Sequence, residues 1–93
     1  MNIGNALKQL RKAKGLTQAE VAEAAGITQT ALSNIENDTR PGIETMERLC
    51  IALDVPQIYV LIGAMEKEEI SPHKQELYDI LFPVIIDLLK KLL

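Results

Sequence analysis

This sequence has no tryptophan, a single phenylalanine (Phe82), two tyrosines (Tyr59 and Tyr78), one cysteine (Cys50) and one histidine (His73). Each scarcity excludes something. With aromatics at 3%, a core has to be assembled from Leu, Ile, Val, Ala and Met. One cysteine cannot close an internal disulfide, so this is not a disulfide-stapled secreted scaffold. One cysteine and one histidine are too few ligands for a zinc site, and no metal or cofactor is expected. Cys50 reads as core on a helix and His73 as surface. No Ser/His/Asp, Cys/His or paired-carboxylate constellation supplies a nucleophile with its base, so an enzyme is not expected. No apolar run nears the roughly 20 residues of a membrane span, and Met1 to Leu10 does not read as a signal peptide. A reducing cytoplasm is the expected compartment, with no membrane partner.

What is present is one domain's worth of chain. It has 93 residues, 47% hydrophobic and 25% charged, with a formal net charge of −3. The charge is unevenly placed. Residues 1–42 carry five bases against four acids, and residues 43–93 carry five bases against nine acids. DNA affinity depends on the local field over one face rather than on bulk charge, so the acidic second half permits a nucleic-acid partner for the first.

The periodicity is helical throughout, with no strand signal, and the fold class expected is all-α. Ile3, Ala6, Leu7 and Leu10 recur at helical spacing, with Lys8, Arg11 and Lys12 outward. That helix stops before Gly15. Thr17-Gln18-Ala19-Glu20 is a capping box opening a short second helix through Val21, Ala22 and Ala25, which Gly26 ends. Thr28 caps a third, running through Ala31, Leu32, Ile35 and Glu36. A breaker-rich loop follows from Asn37 to Gly42. A fourth helix spans about Ile43 to Leu53, and Pro56 fits the first turn of a fifth that ends near Gly63. The domain boundaries expected are 1–65 for a five-helix domain, 66–70 for a charged linker and 71–93 for a C-terminal helical segment opened by Ser71-Pro72.

Two short helices joined by a Gly-containing turn are the signature of a helix-turn-helix. The stretches Leu16-Thr17-Gln18-Ala19-Glu20-Val21-Ala22, Ala25-Gly26-Ile27-Thr28-Gln29 and Leu32-Ser33-Asn34-Ile35-Glu36-Asn37 resemble the XRE-type Cro/repressor family of DNA-binding domains. Arg40-Pro41, Glu44-Thr45 and Ala52-Leu53-Asp54-Val55 continue the likeness, which covers residues 3–64. The order and spacing of several motifs make it specific.

The third helix presents polar, uncharged side chains, and major-groove base edges are read by amides and hydroxyls. Gln29 is the first candidate for a base contact, because its amide matches adenine N6 and N7. Asn34 offers the same chemistry further along, and Thr30 and Ser33 offer hydroxyls. Asn37, Thr39 and Arg40 are candidate phosphate clamps, which position rather than specify. The resemblance implies that Gln18 contacts backbone phosphate from the start of the second helix. It also implies that Arg11 pairs with Glu36 to fix the third helix on the body. There are departures: Asp38 stands where the family commonly has glycine in a left-handed turn, Gly42 replaces a Ser/Thr cap, and Asp54 replaces a common glycine.

In the tail, Leu77, Leu81, Val84, Leu88 and Leu92 form one apolar stripe, and Tyr78, Phe82, Ile85, Leu89 and Leu92/Leu93 an adjacent one. Pro83 interrupts the pattern, so a kink or two helices meeting there is expected. So wide an apolar face does not stay exposed on a stable monomer. It pairs with its copy, folds back on its own domain, or binds another protein or a membrane. Homodimerisation is favoured because a two-fold protein reads two short half-sites. The expected dimer residues are Leu77, Tyr78, Leu81, Phe82, Val84, Ile85, Leu88, Leu89 and Leu92. The expected function is a dimeric, sequence-specific DNA-binding repressor of transcription acting on double-stranded DNA. The rival is an antitoxin-like or antagonist-controlled module whose tail docks a partner protein.

Overall fold

Asn2 starts the first helix by accepting the Asn5 amide on Oδ1 at 3.0 Å. From there α1 runs Ile3–Ala13, and Gly15 turns the chain at φ +69°. In the computed structural model, which describes residues 1–92 and of Leu92 only the backbone, four more helices follow. These are α2 (Gln18–Ala25), α3 (Gln29–Asn37), α4 (Ile43–Leu53) and α5 (Gln57–Ala64). Single 3-10 turns at Lys67–Glu69 and Pro72–Lys74 lead into α6 (Gln75–Leu92). Among the described residues there is no strand, and no helix is long and apolar enough to cross a membrane.

The stops and starts follow from local chemistry. The capping box of α2 forms in both directions: Glu20 N–H donates to Thr17 Oγ1 and Thr17 N–H to Glu20 Oε1, each at 3.1 Å. Gly26 ends α2 at φ +71°, where a Cβ would meet no atom within 4 Å; the glycine is there for its backbone. Thr28 Oγ1 accepts the Ala31 amide at 3.0 Å and starts α3. Asp54 takes the left-handed position after α4, at φ 54°, which Asp tolerates better than most residues. Pro56 stands just outside α5 rather than in its first turn.

The core is aliphatic. Leu7, Val21, Leu32, Leu49, Leu53 and Val60 are almost wholly buried, joined by Cys50 and small residues such as Ala6, Ala22 and Ala64. α1 packs on α3 and α5, and α2 on α3 and α4. Burial pushes the Cys50 thiol above its ordinary pKa. Gly4 is the closest approach: a Cβ there would collide with the Ile35 carbonyl oxygen and lie 3.3 Å from the Glu36 carbonyl carbon. The first helix thus rests on the backbone of α3.

The tail corrects one expectation. α6 is one helix through Pro83 rather than two meeting there. Pro83 is exposed and withholds an amide from the carbonyl of Asp79, four residues back. Phe82 before it and Ile86 and Leu89 after it line the same groove over α1 and α5. Lys67 Nζ donates to Asp79 Oδ2 at 2.9 Å and the Tyr78 hydroxyl to the Met65 carbonyl at 3.4 Å, tying α6 to the preceding turn.

Candidate nucleic-acid interface

At 3.6 residues per turn, Gln29, Ser33, Asn37, Thr30 and Asn34 fall within an arc of about 140° on α3. Leu32, Ile35 and Glu36 fall outside that arc and are buried. The arc is polar and uncharged from end to end. Gln29, Thr30, Asn34 and Asn37 are exposed, and Ser33 is half-buried. Among the described residues, none of the side chains of Gln29, Thr30, Ser33 and Asn34 hydrogen-bonds within the protein. Their donors and acceptors are free for an outside partner. A B-form major groove, about 12 Å wide, admits one α-helix.

A buried lock sets the orientation of that arc. Arg11 donates from Nε to Glu36 Oε2 at 2.7 Å and from Nη2 to Oε1 at 3.0 Å. Its third arm, Nη1, donates to the Leu16 carbonyl at 2.8 Å. Gln18 Nε2 donates to Glu36 Oε1 at 3.0 Å. One carboxylate on α3 is therefore held by α1 and by the first residue of α2. Burial alone would raise the Glu36 pKa, but hydrogen bonds from Arg11 and Gln18, with the positive charges of Arg11 and Lys8, hold it below its ordinary value. Arg11 is raised by the same hydrogen bond from its side of the pair. The anchoring roles of Gln18 and of the Leu16 carbonyl carried no sequence signal beyond the capping box beside them.

Gln18, the residue implied for phosphate, is half-buried and spends one amide proton on Glu36. Asn37, Thr39 and Arg40 are all exposed. They line one polar hollow of about 260 Å³ with Asp38 and the residues around Asn2. Asp38, at the position where the family commonly has glycine, is not left-handed; it sits at φ −156°, ψ −33°. The Asn34 carbonyl accepts both the Asp38 and Thr39 amides at 2.8 Å, which closes α3 without a positive φ. Gly42, with no side chain to accept an amide, offers no cap to α4.

The expected dimer residues are divided by the structure. Leu77, Leu81, Val84, Ile85 and Leu88 are exposed, whereas Tyr78, Phe82 and Leu89 are half-buried; Phe82 and Leu89 line the groove over α1 and α5, and Tyr78 shares an apolar hollow with Leu77, Leu81 and Ile85 beside Met65 and Ile70. Tyr78 and Phe82 stack with ring centroids 4.5 Å apart. The side chain of Leu92 and all of Leu93 lie outside the described residues. Ile80, absent from the expected set, is exposed with the first group; its spacing of three from Leu77 and four from Val84 was the available signal.

A protein-family description, Helix-turn-helix (HTH_3), matches residues 7–56, more than half the chain. The chain belongs to the helix-turn-helix family. This helix-turn-helix protein is 38% identical over 69 residues to the HTH-type transcriptional regulator SinR of Bacillus licheniformis, covering 72% of the chain and 61% of that protein. It is 35% identical over 72 residues to the immunity repressor protein of Bacillus phage phi105, covering 74% of the chain and 49% of that protein. The crystal structure of the clp gene regulator ClgR from C. glutamicum superposes with a TM-score of 0.66 at 34% identity, covering 68% of this chain and 83% of that one. The chain spans less than two thirds of the length of SinR and of the phage repressor.

Proposed function

We propose that this protein is a sequence-specific DNA-binding regulator of transcription, a repressor that occupies a near-palindromic operator as a homodimer in the cytoplasm. The observation that carries the reading is the polar arc of α3: four side chains with unspent amides and hydroxyls on a helix locked to the body behind it. Gln29, Thr30, Ser33 and Asn34 read base edges. Arg40, Thr39 and Asn37, at the end of the same helix, together with the remaining amide proton of Gln18, hold phosphates. Relatives named as transcriptional regulators and as a repressor support the same assignment. A short helix reads only a few base pairs, so two copies related by a two-fold axis supply the specificity that one lacks.

Selection of bound duplexes from a random pool at about 0.15 M salt, where weak nonspecific binding is largely screened, tests the proposal. The expected product is a two-fold-symmetric consensus whose half-sites lie about one helical turn apart. A pool that stays unenriched overturns it.

A further inference from the structure

We propose that Lys8, on α1, is a further phosphate contact, whose ammonium neutralises the DNA backbone that flanks α3 on the side of Gln18. The assignment rests on the DNA-binding reading above and adds the cation that this flank needs.

A helix seated in the major groove has a sugar-phosphate backbone along each side, and cations placed there supply much of the affinity. At the C-terminal end of α3 that cation is Arg40, exposed beside Asn37 and Thr39. The other flank is the edge of the polar arc that begins at Gln29 and Ser33. At 100° per residue, Glu36 falls about 20° outside Gln29, so Arg11 and Gln18, which hold Glu36, stand along this edge. Neither supplies an unspent charge. Gln18 is neutral. Each nitrogen of the Arg11 guanidinium already donates to an acceptor inside the protein, and its side chain is only 11% exposed.

Lys8 is the cation that α1 places there. Gly4 rests on the backbone of Ile35 and Glu36, and Arg11 grips the Glu36 carboxylate. Lys8 lies between them, about one turn from each and within about 60° of both around the helix. It is half-buried, and its positive charge helps to hold the Glu36 carboxyl low. Among the described residues, its ammonium makes no hydrogen bond or ion pair. The other lysines of this region stand elsewhere. Lys14 donates to the Asp54 carbonyl at 3.3 Å. Lys12 is exposed and lies about 180° around α1 from the buried Ile3, pointing away from the body. A lysine is a point charge on a flexible stem, so Lys8 adds affinity without reading sequence.

Fluorescence anisotropy over a salt series tests this, with the duplex selected above and a scrambled one. The scrambled duplex tests Lys8 even where no consensus emerges. Log affinity falls against log salt with a slope of about −0.9 for each phosphate neutralised. Lys8→Gln is expected to make the slope shallower by about 0.9 on both duplexes. If the lines meet near 1 M, that is a loss of roughly eightfold at about 0.1 M salt, with the preference between the duplexes unchanged. Lys8→Arg is expected to restore the slope, and Lys12→Gln to keep it. An unchanged slope in Lys8→Gln, or an equal change in Lys12→Gln, overturns the assignment and leaves the DNA-binding reading in place. A lost preference with the slope kept makes Lys8 a support for α3 and also overturns it. An unaltered chain that binds neither duplex at low salt overturns the DNA-binding reading itself.

Discussion

Glu36 shows how much one residue carries. It is 5% exposed and accepts three hydrogen bonds from two side chains. Arg11→Ala leaves that carboxylate buried without its cation, a change that typically destabilises by about 3–5 kcal/mol against a total of roughly 5–15 for a domain. Urea unfolding is expected to show a loss in that range. The pair also has a pH signature. Glu36 is held below its ordinary value of 4.5, so its contribution is complete above that pH and is lost as pH falls through the lowered folded value. Arg11 stays charged across this window. Glu36→Gln is therefore expected to flatten the acid limb of a stability-versus-pH curve, and an unchanged slope would contradict the assignment. Two glycines make a second comparison. Gly26→Ala is expected to lose about 1–2 kcal/mol because the left-handed position disfavours a Cβ, with no contact disturbed. Gly4→Ala is expected to lose about 1–3 kcal/mol for the opposite reason: an ordinary helical backbone, but α3 in the way. Thermal melts of both variants check this, and a neutral Gly4→Ala would contradict the close approach of α1 to α3.

Among the elements, the ones written in local chemistry were the ones legible in advance. Thr17 and Thr28 cap α2 and α3 through bonds three residues long, and Gly15 and Gly26 stop α1 and α2 in left-handed turns. These signals sit next to the structure they specify. Thr17→Ala is accordingly expected to lower stability by about 1 kcal/mol, read in the same urea series. The polar arc of α3 was legible too, since a helix of known phase shows its outward face directly. Other features depend on residues far away. That Phe82, Ile86 and Leu89 rather than Ile80, Val84 and Leu88 line the groove over α1 and α5 depends on residues more than twelve positions away, and local periodicity shows only one wide apolar face. Asp38 stands where the family commonly has glycine, and here the Asn34 carbonyl gathers the next two amides, so no left-handed residue is needed. The engagement of Gln18 with Glu36 needs α2 and α3 already crossed.

At the scale of the whole molecule, the chain measures 42 × 26 × 18 Å with a radius of gyration of 13.8 Å, above the roughly 12 Å of a compact domain this long. The excess belongs to α6, which lies over the five-helix body with one face against it and the other open. That shape unites the two halves of the account. Polar α3 offers unspent hydrogen bonds at one surface, and α6 presents exposed apolar side chains at another. The central claim is that α3 reads bases through Gln29. Fluorescence anisotropy with the selected duplex, comparing the unaltered chain with Gln29→Ala, tests it most directly. A bidentate amide–adenine pair discriminates by about 1–3 kcal/mol, so affinity is expected to fall roughly 5- to 150-fold, and the variant is expected to stop distinguishing the contacted base pair from its replacements. Equal affinities, with discrimination intact, would contradict the account.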